Sequence, residues 1–94
     1  NVLSAAQEHL GKYFAKAPEL RLGPVKFNYS TSEVVGIPVL NGALAFFGCQ
    51  VMDTHEYGDH TIYVGEVKEV MRMSEVAPLL FYRGQWLVGP NVSV

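Results

Sequence analysis

Cysteine is nearly absent from this chain, and neither sign of charge is in large excess. The 94 residues include one cysteine, Cys49, so no internal disulfide can form, and no spacing of Cys and His resembles a structural zinc site. Nine acidic residues oppose seven basic ones, which form no stripe of the kind that nucleic-acid binding needs. We therefore expect no disulfide scaffold, no nucleic-acid partner and a reducing, cytoplasmic setting.

Long apolar runs and the familiar nucleotide-binding motifs are also missing. No window approaches the roughly 18 apolar residues of a membrane-spanning helix, and the first residues lack the pattern of a signal peptide. These absences predict a soluble protein with no membrane partner. Neither G-x-G-x-x-G nor G-x-x-x-x-G-K-[ST] occurs, so a nucleotide would have to be held in another way.

Hydrophobic residues, by contrast, are abundant at 49% of the chain. A chain of this length suits one small domain, which buries only about 60 to 65% of its unfolded surface. Part of the apolar surface is therefore expected to meet another chain or a ligand. The first residue is Asn1 rather than methionine, and "NVL" resembles the end of a buried strand, so we expect the sequence to begin within a domain.

The pattern near the start predicts one short helix over Ser4–Phe14. Ser4 followed by Gln7 is a capping-box signal, and Gly11 weakens the helix interior. The apolar face has the i, i+3, i+4 spacing of an amphipathic helix and consists of Leu10, Tyr13 and Phe14.

The remainder of the chain predicts four to five strands. Alternating apolar residues and turn signals define a possible strand at Val25–Tyr29, a long strand from Leu40 to Glu56, its partner after the turn "YGD", and a hairpin "PLLFY" and "QWLVG" around the turn "RG". Burial is expected on both faces of the long strand at first and on one face later. Strands joined by hairpins favour an antiparallel barrel or sandwich, and Gly48 and Gly65 mark bends within it.

Two kinds of chemistry are disfavoured by these residues. His55 and His60 flank Glu56 and Asp59, but turn and strand positions point these side chains apart, which predicts no metal site. Cys49 lies in the apolar part of a strand, where a thiol is usually a small buried hydrophobe rather than a nucleophile.

The corner after the long strand carries one candidate functional residue. Asp59 is expected to hydrogen-bond backbone amides two residues on and so to stabilise the turn. His60 is the first residue after the corner, and its imidazole can donate a hydrogen bond or carry charge near neutrality. A structural and a functional role for His60 are equally compatible with the pattern.

The last hairpin carries an aromatic cluster with a cation at its turn. Packing is the simpler interpretation for each ring taken alone. Together they also resemble a flat-sided slot for a planar ring that bears phosphates. The residues are Phe81, Tyr82, Arg83, Gly84 and Trp86.

Three segments of the sequence resemble a known protein family. "GIPVLNGALAFFGCQV", "GDHTIYVGEV" and "PLLFYRGQW" resemble, in this order, the C-terminal half of the flavin reductase family with the FMN-binding split-barrel fold. The opening "NVLSAAQEHLGKYFA" resembles the family's mid-domain strand and following helix. The resemblance covers Asn1 to about Val88 and implies a mainly β, antiparallel Greek-key split barrel of six strands with short helices. Residues 1–94 would be the C-terminal portion of one such domain.

The resemblance also implies an activity. Members of this family transfer hydride from NADH or NADPH to FMN or FAD as homodimers, and they supply reduced flavin to two-component monooxygenases. Two alternatives stay open: a flavin-binding or electron-carrier protein of the same fold without nicotinamide activity, and a dimerisation module that is not an enzyme.

Site residues follow from the same resemblance. Asn1, Val2 and Leu3 would form part of the wall beside the flavin ring, and His60 would be the catalytic-site residue next to the nicotinamide or the flavin. The residues around the bound dinucleotide would be Phe81, Tyr82, Arg83, Gly84 and Trp86. The family more often has Tyr or Phe where Trp86 stands, and its segment that holds the flavin phosphate has no counterpart here.

Overall fold

The computed structural model describes residues 1–90, and the last four residues of the predicted domain, 91–94, lie outside the described part. One α-helix and six strands follow one another along the chain. They are α1 (Glu8–Ala15), β1 (Tyr29–Thr31), β2 (Pro38–Leu40), β3 (Ala45–Tyr57), β4 (His60–Arg72), β5 (Leu79–Tyr82) and β6 (Gln85–Val88), with short 3-10 turns at Ala5–Gln7 and Pro18–Leu20.

Three antiparallel pairs contain all six strands: β1 with β2, β3 with β4, and β5 with β6. The mainly β, antiparallel class is therefore confirmed, but the count of four to five strands is wrong. The predicted strand Leu40–Glu56 is interrupted by a turn in which Gly42 has a φ of +88°, so it becomes β2 and β3. The predicted strand Val25–Tyr29 is also misplaced, because pairing with β2 begins only at Tyr29.

The helix starts as its capping signal predicts. Gln7 Oε1 accepts a hydrogen bond from the Ser4 amide at 3.0 Å, and the first turn is 3-10 before α1 begins at Glu8. Leu10 is buried beneath it. Pro18 favours extended backbone in the residue before it, and the helix ends at Ala15. Within residues 1–90, no helix has the length and apolar character needed to cross a membrane.

The β3–β4 hairpin bends beside both of its internal glycines, as the sequence predicts. The register shifts between Gly48 and Cys49, and again between Val51, the partner of Gly65, and Asp53. Such shifts are β-bulges, which kink a strand and increase its twist. A Cβ at Gly48 would lie 2.7 Å from Val35 Cγ2, so the absent side chain leaves room for that neighbour.

The turns of the two longer hairpins differ. Gly58 and Asp59 join β3 to β4, with a positive φ of +59° at Gly58 only, which fits a type II′ turn. Arg83 and Gly84 join β5 to β6 with φ of +53° and +76°, the signature of a type I′ turn.

Backbone hydrogen bonds of the chain start join two of the three hairpins. The Val2 amide donates to the Ala45 carbonyl at 2.8 Å, and the Leu79 amide donates to the Leu3 carbonyl at 3.1 Å. Residues 1–4 therefore act as a short strand between β3 and β5, although only isolated bridges are formed.

The apolar core is small and the surface is large. Within residues 1–90, the buried apolar residues are Leu10, Val39, Ala43 and Phe46. The accessible surface is 7223 Å², whereas a compact 10.4 kDa monomer exposes about 5,400 Å². Neither face of β3 is buried beyond Gly48, so the expectation of late one-sided burial is wrong, and Cys49 is exposed rather than buried.

Candidate functional site

The start of the chain lies beside the β5–β6 hairpin, because the Leu79 amide donates to the Leu3 carbonyl and Ser4 bridges Pro78. The Asn1 side chain is engaged with β2: its Oδ1 accepts from the Leu40 amide at 2.8 Å, and its Nδ2 donates to the Pro38 carbonyl at 3.2 Å. These bonds hold the amide of Asn1 against the backbone, so a ligand would meet this residue through its remaining exposed surface.

The aromatic cluster divides into a supported ring and two open ones. Phe81 and Trp86 are cross-strand partners with ring centroids 4.9 Å apart and an interplanar angle of 58°. Trp86 is half-buried because its ring rests on α1, where a Cβ at Gly11 would lie only 2.8 Å from Trp86 Cζ3. Phe81 and Tyr82 are 62% and 64% exposed. The hairpin therefore offers open aromatic surface that is held from behind by the helix.

Arg83 occupies a backbone conformation that its residue type disfavours. Its φ of +53° is the only positive value among non-glycine residues in the described part of the chain. A left-handed conformation costs an ordinary residue about 1 to 2 kcal/mol, and type I′ turns prefer Asn, Asp or Gly there. Such strain is concentrated at binding sites. The side chain of Arg83, an exposed residue that follows Phe81 and Tyr82 in the chain, is thus a candidate anion-binding group.

His60 lies at the tip of the long hairpin, and its ring contacts Asp59. The Nδ1 atom of His60 is 2.5 Å from Asp59 Oδ1, with side chains 82% and 93% exposed. The expectation that Asp59 bonds backbone amides is wrong in the described residues, where its carboxylate contacts this ring instead. In the structure Asp59 therefore contacts the His60 ring, whereas the sequence pattern predicted that Asp59 only stabilises the turn.

His60 is not brought to the other candidate residues by contacts within residues 1–90. His60 lies twelve positions along β4 from Arg72, which pairs with Ala45 beside the chain start. At about 3.3 Å per residue this is on the order of 40 Å along the strand. The candidate residues thus fall into two separate groups: His60 at the tip of the β3–β4 hairpin, and the β5–β6 hairpin with residues 1–3.

Two contributors were missed by sequence reasoning. The sequence pattern identified Gly11 only as a residue that weakens the helix, but the Trp86 ring packs against this position. Asp59 counted only as a turn residue. The adjacency of Asp59 and His60 was a usable signal, because residues at a tight turn escape the alternation that separates neighbours in a strand.

The other two histidine and cysteine positions considered from the sequence, His55 and Cys49, have ordinary neighbours in the structure. Within residues 1–90, no three side chains of His, Cys, Asp or Glu come together as a metal-binding group. His55 contacts Asp53, with Nε2 and Oδ2 3.0 Å apart. Cys49 Sγ is 3.7 Å from the Phe47 carbonyl oxygen, which offers a thiol no base to activate it.

The fold and these residues define an antiparallel β protein whose aromatic hairpin and strained arginine suit a planar, negatively charged ligand. A family model described as "Flavin reductase like domain" matches residues 1–87. The chain belongs to this family, which confirms the resemblance found in the sequence.

Individual relatives agree with this assignment. The chain is similar to a flavin reductase of Pseudomonas putida, with 37% identity over 84 residues that cover 89% of this chain and 48% of the relative. It is also similar to the flavin-dependent monooxygenase reductase subunit HsaB of Mycobacterium tuberculosis, with 35% identity over 89 residues that cover 92% of this chain and 46% of the relative. The chain spans about half the length of the curated relatives it matches.

Solved structures confirm the fold. The flavin reductase PheA2 in its native state superposes with a TM-score of 0.76 and 36% identity, which covers 94% of this chain and 54% of that one. The structural neighbours are flavin reductases of the split-barrel type. The predicted antiparallel split-barrel class is therefore correct.

Proposed function

We propose that the protein is a flavin reductase that transfers hydride from NADH or NADPH to FMN or FAD. The observation that carries this proposal is family membership over residues 1–87. It is supported by the exposed aromatic β5–β6 hairpin, whose turn contains an arginine in a left-handed backbone conformation. Relatives bear names that specify NADH or NADPH as the donor and FMN or FAD as the flavin. All of these names describe reduction of a flavin, but they differ in the nicotinamide nucleotide and in the flavin.

The chemistry of the hairpin residues fits a flavin or a nicotinamide dinucleotide. Open faces of Phe81 and Tyr82 provide stacking surface, Trp86 adds its unburied edge, and the Arg83 guanidinium can bind phosphate oxygens, with Gly84 leaving space beside it. Bound flavin supplies the hydride acceptor, which no side chain can provide. The protein's own task is then to position two rings and to exclude water.

The chain start and the hairpin tip complete the proposed site. Asn1, Val2 and Leu3 bond β2, β3 and β5 in turn, and we assign these three residues to the flavin side of the site. His60 is the proposed catalytic-site residue, which orients the nicotinamide or the phosphates of its nucleotide by a hydrogen bond rather than by acid-base catalysis, because hydride transfer requires no base. The domain is proposed as the C-terminal portion of one split barrel.

We also propose a homodimer, which the large uncovered surface of the chain supports. The excess of about 1,800 Å² over a compact monomer compares with about 800 Å² that each partner contributes to a standard interface. Much of it is apolar and lies on the distal β3–β4 hairpin, for example Val51, Ile62 and Val67. We propose that a second copy of the protein, together with the remainder of the barrel, covers this surface.

We also propose a cytoplasmic location and a flavin-dependent monooxygenase as partner. The partner is proposed because relatives are named reductase subunits of such monooxygenases.

The decisive experiment measures NADH and NADPH oxidation by the purified protein with and without added FMN or FAD. Flavin-dependent oxidation is expected, and flavin fluorescence should be quenched on binding and partly recover in Trp86→Ala. His60→Ala should raise the KM for the nicotinamide nucleotide more than it lowers kcat. A protein that binds flavin but oxidises neither nucleotide would be a carrier, and one that binds no flavin would be a dimerisation module. Either result rejects the proposal.

A further inference from the structure

The hairpin tip holds two histidines whose rings contact carboxylates through different nitrogens. His60 contacts Asp59 through Nδ1, at 2.5 Å, whereas His55 contacts Asp53 through Nε2, at 3.0 Å. A carboxylate accepts a hydrogen bond and cannot donate one when ionised. A neutral imidazole carries its single hydrogen on the nitrogen that faces such an acceptor. The two pairs therefore favour opposite tautomers.

The tautomer decides what the free nitrogen can recognise. With its hydrogen on Nδ1, a neutral His60 presents a bare lone pair at Nε2, which accepts a hydrogen bond. Phosphate oxygens are acceptors and cannot satisfy such a nitrogen, whereas an amide N–H can. Among the groups of the proposed substrate that can donate a hydrogen bond, the carboxamide is the one on the nicotinamide ring, next to which His60 is proposed to lie.

The turn makes this contact easy to form. Asp59 is the second loop residue of a tight turn, so its side chain is not forced to the opposite face from His60 as it would be within a strand. The two residues are adjacent in sequence, and little chain entropy is lost in bringing them together. In the described residues, the Asp59 carboxylate has no other hydrogen-bond partner.

We propose that Asp59 is a positioning residue that holds His60 in the Nδ1–H tautomer, so that His60 Nε2 accepts a hydrogen bond from the carboxamide of the nicotinamide. This inference rests on the proposed reductase function and specifies which part of the nucleotide His60 recognises. In this proposal Asp59 contacts neither the nicotinamide nor the flavin, and it takes no part in the hydride transfer step.

The first test observes the tautomer directly and needs no activity. Ring-nitrogen NMR shifts, recorded at alkaline pH on the neutral imidazoles, distinguish the protonated from the bare nitrogen. The hydrogen is expected on Nδ1 in His60 and on Nε2 in His55. His9, for which no side-chain hydrogen bond is found within residues 1–90, serves as the internal reference. In Asp59→Ala the His60 ratio should shift toward Nε2–H by up to about fivefold, the range of an exposed pair.

The second test asks whether the carboxamide is recognised. The specificity constant kcat/KM is compared for NADH and for its reduced 3-acetylpyridine analogue, in which a methyl group replaces the amide NH₂. The preference for NADH should fall by up to about fivefold in Asp59→Ala, through KM, and should be largely restored in Asp59→Asn, whose amide oxygen still accepts from Nδ1–H. Asp53→Ala is the matched control and should leave the preference unchanged.

The outcomes separate this inference from the function on which it rests. Absence of NADH oxidation in the unaltered protein rejects the reductase function. An active protein in which His60 carries its hydrogen on Nε2 rejects the positioning role, as does an unchanged preference in Asp59→Ala. Equal losses in Asp59→Ala and Asp53→Ala would also overturn it, because they would indicate a general effect on the hairpin.

Discussion

Gly11→Ala tests whether the helix or the aromatic ring controls this position. By helix propensity alone, alanine should stabilise α1 by about 1 kcal/mol. The packing seen in the structure predicts the opposite effect, a loss of stability. A Cβ at Gly11 would lie 2.8 Å from Trp86 Cζ3, 3.0 Å from Trp86 Cη2 and 3.1 Å from Leu79 Cδ2. Displacing well-packed groups typically costs about 1 to 3 kcal/mol, so we expect a net loss of about 1 kcal/mol in the free energy of unfolding.

The assay is urea unfolding followed by circular dichroism, with the midpoint compared at unchanged m value. Trp86→Leu provides the matched background, because it removes the ring that the new methyl group meets. Gly11→Ala should then stabilise the protein, or at least lose most of its cost. Stabilisation of the same size in both backgrounds would refute the packing argument, since the position would behave as an ordinary exposed helix site.

Two further substitutions probe the site and the bend. Arg83→Asn should raise the free energy of unfolding by about 1 kcal/mol, because Asn tolerates the left-handed conformation of the turn, and should weaken flavin or nucleotide binding in a fluorescence titration; unchanged affinity would remove the guanidinium from the site. Gly48→Ala should lower the free energy of unfolding by about 1 to 3 kcal/mol in a thermal melt, because its Cβ would lie 2.7 Å from Val35 Cγ2 and 3.0 Å from Phe46 Cε1. Val35→Ala should recover part of that loss, and full additivity of the two changes would contradict the proposed contact.

The features that sequence patterns predicted correctly are those that depend on neighbours along the chain. The capping pair Ser4 and Gln7 begins the helix, and turn residues define both longer hairpins. Gly48 and Gly65 coincide with bulges, because a missing side chain permits the bend. Each of these features is decided by backbone conformation within a few residues, which composition and spacing record directly.

The incorrect predictions concern what lies across space. Val25–Tyr29 has strand-like residues, but pairing with β2 begins at its last residue, since the partner strand fixes where a ladder can form. Cys49 has apolar neighbours in sequence but lies on the open face of β3. Burial depends on which element covers a face, and alternation along one strand cannot specify that.

For the candidate site, the residue types and the family likeness came from the sequence alone, since aromatic, basic and imidazole groups and the G-D-H-T order are written in it. Only the tertiary structure decided that Trp86 rests on Gly11, that Asn1 is tied to β2, and that Asp59 contacts the His60 ring. The physical reason is that a side chain's partner is set by distances between elements and by turn geometry. Sequence order constrains both without determining either.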